Sequence, residues 1–199
     1  MGLLLSQSNA LSPHGGETPS PWVRRWSHLL APHSTVLDVA CGQGRHMAWL
    51  AGLGHAVCGV DRSPQALAVA GQYGETVQAD IENGPWPLAA GAQVRQFGAV
   101  VVTNYLWRAL FPTLLASLAP GGVLIYETFT QGNETVGKPS RPDFLLQPGE
   151  LLRLCQGLRV VAYEDGFIEA PARFVQRIVA VWPPLPDNGD AGPARYALG

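Results

Sequence analysis

The 199-residue sequence predicts an α/β domain: a largely parallel sheet covered by helices on both faces. Three observations carry this. Short β-branched apolar runs alternate with amphipathic stretches at βαβ spacing. A glycine-rich turn joins the first such run to the helix after it. Residues of the AVILMFWYC set make up 47% of the chain and charged residues only 14%, as a sheet buried on both faces requires.

Taken in order, residues 1–19 are polar and turn-rich, and are expected to be a flexible N-terminal tail. Ser20 and Pro21 have the chemistry of an N-cap and first helical residue. The segment SPWVRRWSHLL then places Trp22, Trp26 and Leu29 on one face, to pack on the sheet or to close a ligand pocket. Val36–Ala40 is a short apolar strand interrupted by Asp38. After the glycine turn a helix is expected from Arg45 to Leu53, and HAVCGVD forms a second strand ending in Asp61. Ser63-Pro64 opens the next helix, and TVQADI is a third strand ending near Asp80. A Pro- and Gly-containing loop leads to a fourth strand, FGAVVVTN. A helix over Ala109–Leu118 and an APGG turn precede the fifth, VLIYETF.

Residues 130–148 break this rhythm, and a loop of such length is expected to be a functional lid or rim. PGELLRLCQG is a short helix. LRVVAYEDG and RFVQRIVAVW are two strands close enough to form a hairpin, which makes the sheet mixed. The domain is expected to span 20–183, with 184–199 a flexible C-terminal tail.

The formal net charge is −2, Lys138 is the only lysine, and no basic stripe appears. DNA is therefore not expected as a partner, and RNA is disfavoured. Cys41, Cys58 and Cys155 have neither disulfide nor zinc spacing, and no metal site is expected. No apolar run reaches membrane-spanning length, so a cytoplasmic protein without membrane contact is expected.

The chemistry concentrates at strand ends. Asp38-Val39-Ala40-Cys41-Gly42-Gln43-Gly44-Arg45-His46 sits between strand and helix, where glycines permit tight backbone angles and close ligand approach. A carboxylate just before this turn would oppose a pyrophosphate but suits a ligand carrying an ammonium group. Asp61, 23 residues on, is placed to accept both hydroxyls of a ribose. Asp80 or the Ile81 backbone is a candidate partner for an adenine amine, with Ile81 and Leu106 as candidates to cover the ring faces. Acidic caps and solvated strand ends would explain each acid singly, though least well Asp38, which lies inside an apolar strand.

VLDVACGQGRH, CGVDRSP and QADIE together resemble the glycine, ribose-acid and adenine-acid motifs of class I S-adenosylmethionine-dependent methyltransferases. The resemblance continues through TNYLWRALFPTLLASLAPGGVLIYETF, and it is nearest to small enzymes of the tellurite-resistance type. It implies a Rossmann-like methyltransferase fold with strand order 3-2-1-4-5-7-6 and an antiparallel seventh strand. The implied cofactor, S-adenosylmethionine, has both an amine and a sulfonium. The implied cofactor-binding set is Asp38, Ala40, Cys41, Gly42, Gly44, His46, Asp61, Arg62, Asp80, Ile81, Asn104 and Leu106. His46 departs from the pattern, since many relatives have a third glycine there, and TNYL is not the motif of enzymes that methylate DNA adenine.

The acceptor is expected above strands four and five, with Tyr105, Arg108 and Glu127 as pocket candidates, an Arg108–Glu127 ion pair being the simpler role for those two. A small molecule is the expected acceptor. The competing functions are an RNA methyltransferase, a nicotinamide-dependent oxidoreductase and a non-catalytic cofactor-binding domain.

Overall fold

The computed structural model describes residues 18–183 and 194–198. Seven strands form the main sheet: β1 (Thr35–Val39), β2 (Ala56–Asp61), β3 (Glu75–Gln78), β4 (Phe97–Thr103), β5 (Leu118–Phe129), β6 (Arg159–Glu169) and β7 (Ala172–Val181). Their order is β3-β2-β1-β4-β5-β7-β6. Strands β1 to β5 pair in parallel, and β7 runs antiparallel to both β5 and β6. The sheet order and the antiparallel seventh strand are those expected. A separate two-stranded hairpin, Ala89–Ala90 with Gln93–Val94, lies in the loop before β4.

Five helices accompany the sheet: α1 (Pro21–Trp26), α2 (Arg45–Gly52), α3 (Pro64–Ala70), α4 (Phe111–Ala116) and α5 (Glu150–Leu154). The predicted caps form. Ser20 Oγ accepts from the Trp22 amide at 3.1 Å, and Ser63 Oγ from the Ala66 amide at 3.2 Å. Several helices end earlier than periodicity suggests. α1 passes into a 3-10 turn at Ser27–Leu29, and Pro32 then disfavours helical geometry in the residue before it. The stretch expected as one helix from Ala109 is a 3-10 turn, Arg108–Leu110, followed by α4. The APGG segment is drawn into β5: Gly121 and Gly122 bond the Trp182 backbone at 3.1 and 2.8 Å, and the register with β4 shifts there.

Alternation along the strands divides the core. Val36, Val57, Val101, Ile125 and Val179 face Trp22, Trp26, Met47 and Leu67 of α1 to α3. Leu37, Val60, Val100, Leu124 and Ile178 face Leu114 and Leu151 of α4 and α5. Each such fully buried aliphatic side chain contributes about 1.5–3 kcal/mol, and together they fix the strand ends as a rigid platform. Among the described residues no helix is long and apolar enough to cross a membrane. The expected tails fall mostly outside the described residues. Of those described, the Tyr196 ring lies beneath the Arg159 guanidinium at 5.6 Å, and Ala197 O lies 3.1 Å from His28 Nε2.

Candidate active site

The turn after β1 is built by backbone constraint. Ala40, Gly42 and Gly44 all have positive φ, at 54°, 55° and 80°. The left-handed conformation costs a non-glycine residue about 1–3 kcal/mol, so the surroundings must hold Ala40 in place. Asp61, at the end of β2, does part of this. Its Oδ2 accepts from the Gly42 amide at 2.8 Å and its Oδ1 from the Ser63 amide at 2.9 Å, tying the turn to the start of α3. The two glycines differ in purpose. A Cβ on Gly42 would meet nothing within 4 Å, whereas one on Gly44 would stand 2.9 Å from Ala70 Cβ. Gly42 leaves its backbone open to an approaching ligand, and Gly44 lets α2 pack on α3.

Asp38 lies at the floor of this turn, 1% exposed. Its Oδ2 has no hydrogen-bond partner among the described residues, and the nearest charged-type contact is His46 Nδ1 at 3.9 Å. Burial pushes the Asp38 carboxyl up to about 7, against the pull of the Arg45 guanidinium and with a further push from Asp61. The neighbouring Cys41 thiol is driven upward chiefly by burial, then by Asp38 and Asp61, so it stays protonated.

A cavity of about 510 Å³ opens beside the turn at the carboxyl ends of the strands. Ala40, Asp61, Arg62, Asp80, Ile81 and Glu82 line one side, and Asn104, Tyr105 and Leu106 line the base. Thr128, Phe129, residues 138–141 and Phe144 close the other side. The structure thus brings together seven members of the expected cofactor set. Asp38, Cys41, Gly42, Gly44 and His46 stand outside the lining, at or beneath the turn. Asp80 is exposed and organises its own loop, accepting from the amides of Glu82 and Asn83 at 3.1 and 3.2 Å. Its carboxyl is held below the usual range by the Asn83 side chain and these amides. Asn104 has φ of 54°, and its Oδ1 is buried without a partner among the described residues.

The three acceptor candidates separate. Tyr105 lines the cavity. Its hydroxyl is buried without a partner among the described residues, and burial followed by the charge of Glu82 pushes the phenol up. Arg108 faces away from Glu127: it bonds Glu150 at 2.6 and 3.0 Å and the carbonyls of Asp143 and Leu145, each at 2.8 Å. Glu127 instead accepts from Ser20 Oγ at 3.0 Å and pairs with Arg177 at 3.3 Å and Arg173 at 3.7 Å. The expected Arg108–Glu127 pair is therefore corrected. Along β5, Glu127 is in phase with Ile125, on the α1 side, while the Arg108 partners belong to the segment entering α5.

Residues 130–148 are anchored along their length. Gln131 N bonds Leu146 O at 2.9 Å and Leu146 N bonds Phe129 O at 3.0 Å. Buried Gln176 donates to Thr130 Oγ1 at 2.9 Å and to Gln147 O at 2.6 Å. Asn133 donates to Pro139 O at 3.0 Å and accepts from Phe174 N at 3.2 Å. Sequence reasoning missed Gln176, Arg173, Arg177 and Ser20 in the support of this site. Only the two-residue period of β7 hinted that Arg173 and Arg177 share a face.

Residues 36–122 match the family model described as a methyltransferase domain. The matched segment contains the positive-φ turn together with Asp38, Asp61 and Asp80. Residues 36–122 therefore carry the sequence signature of a methyltransferase domain. Solved structures share the fold of this chain at low identity. TehB from Haemophilus influenzae is 17% identical with a TM-score of 0.63, over 78% of this chain and 59% of that one. This chain thus spans less than two thirds of the Haemophilus protein. A methyltransferase from Methanosarcina mazei is 15% identical with a TM-score of 0.64, over 84% and 99% of the respective chains. A TehB-like methyltransferase from Corynebacterium glutamicum is 18% identical with a TM-score of 0.59, over 80% and 85%. No curated protein sequence matches the chain.

S-adenosylmethionine is the cofactor that the sequence resemblance implies, and the residues present fit it. An unpartnered buried carboxylate oxygen at Asp38 and an unpartnered amide oxygen at Asn104 are acceptors for its amine-bearing end. The Gly42 backbone faces open space.

Proposed function

We propose that the chain is an S-adenosylmethionine-dependent methyltransferase that acts on a compact small-molecule acceptor, bound between the ends of β4 and β5 and the 138–144 rim, with residues 20–183 as the catalytic domain. The observation that carries the reading is the single cavity of about 510 Å³ that continues from Asp61 and Ile81 to Phe129 and Phe144. Its size falls within the ~300–1,000 Å³ of small-molecule sites. Asp61 takes the ribose hydroxyls, Asp80 or the Ile81 backbone the adenine amine, and Ile81 with Leu106 the ring faces. Asp38 and Asn104 serve the amino-acid end.

S-adenosylmethionine supplies a methyl group already activated by the adjacent sulfonium. The protein's task is then chiefly alignment, which brings large effective concentrations to reactions of this kind. Phe129 and Phe144 exclude water from the acceptor side. The Tyr105 phenol, held protonated, is a hydrogen-bond donor that orients an acceptor oxygen or nitrogen rather than a base that deprotonates it.

Charge supports a small acceptor over RNA. Of the two cations in the long loop, Arg141 is already paired with Asp143 at 2.7 Å, which leaves too few for a phosphate backbone. We place the reaction in the cytoplasm, a reading supported by three free, buried cysteines. Incubating the protein with methyl-labelled cofactor and fractionated cell extract tests the acceptor class. Label is expected in the low-mass fraction. Label in RNA, with salt-sensitive tRNA binding at about 0.15 M salt, would replace the small-molecule reading. Thermal-shift assays are expected to respond to S-adenosylmethionine and S-adenosylhomocysteine, and not to NAD or NADP.

A further inference from the structure

His46 has no part in the proposed chemistry, yet it is 2% exposed and stands between two functional segments. Its Nε2 lies 3.2 Å from the backbone nitrogen of Ser20. An amide N–H can only donate, so Nε2 accepts, and in the neutral ring the proton sits on Nδ1. Burial, with Arg45 beside it, holds the imidazole down to about 3, which keeps the ring neutral near physiological pH. Nδ1–H therefore faces Asp38 Oδ2 at 3.9 Å, the oxygen with no hydrogen-bond partner among the described residues. Asp38 is otherwise faced by Arg45 from α2, Cys41 from the turn and Asp61 from β2. The other tautomer would turn a lone pair toward the carboxylate and leave the Ser20 amide opposed by a second N–H.

We infer that His46 is a positioning residue: its ring, fixed in one tautomer by the Ser20 amide, directs an N–H dipole at Asp38 that favours the ionised carboxylate. The chain entering α1 is thereby coupled to the acid beneath the cofactor turn. Ser20 fastens the same segment a second time through its hydroxyl on Glu127, at 3.0 Å. Arg45 fastens it a third time by donating to Thr18 O at 3.3 Å. The consequence for ligand binding rests on the proposed role of Asp38 toward the cofactor ammonium. The coupling between His46 and Asp38 does not.

The test reads both. The Asp38 carboxyl is titrated by carbon-13 NMR in the ligand-free protein, and S-adenosylhomocysteine affinity is measured by calorimetry from pH 6 to 8.5. His46→Leu keeps the bulk and removes the dipole. It is expected to raise the Asp38 midpoint by about one unit, and to weaken binding about tenfold below both midpoints and about threefold between them. His46→Gln can accept from Ser20 and donate toward Asp38, and is expected to stay within about twofold of the parent. If His46→Leu does not fold, His46→Asn, too short to reach both partners, replaces it with the same expected shift. An unmoved Asp38 midpoint, or a Gln variant as impaired as the Leu variant, overturns the inference. A parent protein that binds no S-adenosylhomocysteine, with the midpoint still shifted, overturns the cofactor role and leaves the coupling standing.

Discussion

Asp38 and Glu127 stand at the ends of β1 and β5, and each is 1% exposed. Their surroundings could hardly differ more. Glu127 is met by Ser20, Arg173 and Arg177, while Asp38 has an oxygen with no hydrogen bond and a carboxyl pushed up to about 7. A buried charge survives folding when its partners are supplied by the protein. Where they are withheld, the site stays unsatisfied until something else provides a donor. Glu127 is thus a structural tie between α1, β5 and β7, and Asp38 has the free acceptor that its proposed cofactor role requires.

The comparison can be broken first at its saturated end. Glu127→Ala leaves Arg173 without its carboxylate while Arg177 keeps Glu164, and a loss of about 3 kcal/mol is expected in denaturant unfolding. Loss below about 1 kcal/mol would mean that the arginines find solvent or other partners.

At the other end, Asp38→Asn is expected to stabilise the ligand-free protein at pH 8 while weakening S-adenosylhomocysteine by roughly 1.5–3 kcal/mol. The sign follows from linkage. The folded-state carboxyl of Asp38 lies above its ordinary 3.8, so the folded protein holds a proton there that the unfolded chain has lost. Its contribution is present at low pH and disappears as pH rises through about 7. His46 has the opposite sign: depressed to about 3, it favours the folded state above its ordinary 6.5 and loses that contribution as pH falls toward 3. Unfolding of Asp38→Asn from pH 4 to 8 is therefore expected to show stability rising with pH more steeply than in the parent. A variant less stable at pH 8 would show Asp38 to be satisfied after all.

Asp61→Ala sharpens the contrast, because Asp61 combines both roles. It already accepts from two amides and has lone pairs left over for a ribose. Calorimetry is expected to show S-adenosylhomocysteine weakened by about 1–3 kcal/mol. Unchanged affinity in a folded variant would remove Asp61 from the cofactor site.

The smallest effect is expected at Arg108, whose pair with Glu150 is partly exposed. Arg108→Gln should cost about 0.5–1 kcal/mol of stability. With the acceptor in hand, KM for it should rise while cofactor affinity holds. A loss of cofactor affinity instead would make the 142–150 segment part of the cofactor site.

Much of this was legible in the sequence. The late hairpin, the caps at Ser20 and Ser63 and the acids Asp38, Asp61 and Asp80 rest on local patterns, and local patterns survive into the fold; the strand order was implied by the family resemblance. What stayed hidden depends on register and on faces. Arg108 and Glu127 lie 19 positions apart and both follow central strands, so a pair between them is reasonable on paper. Only the packed layers show that they point to opposite sides of the sheet. The difference between Gly42 and Gly44 was equally invisible, since both satisfy the same turn and only the approach of Ala70 distinguishes them. The partner of His46 could not be read either, because Ser20 contributes a backbone amide that every residue except proline has.

The anchoring of residues 130–148 bears on the traffic of molecules through the cavity. Gln131 and Leu146 have their amides paired, and Gln176 clasps both ends of the segment from beneath. Such an arch is expected to lack an opening step of its own. Amide hydrogens at Gln131 and Leu146 should exchange with solvent as slowly as those of neighbouring β5, not in the fast class of surface loops. Binding transients should show one exponential phase whose rate grows linearly with ligand concentration, without the plateau that a slow gate imposes. The residence time of a bound molecule is then set by the strength of its contacts with the walls, and turnover by how soon those contacts let product go.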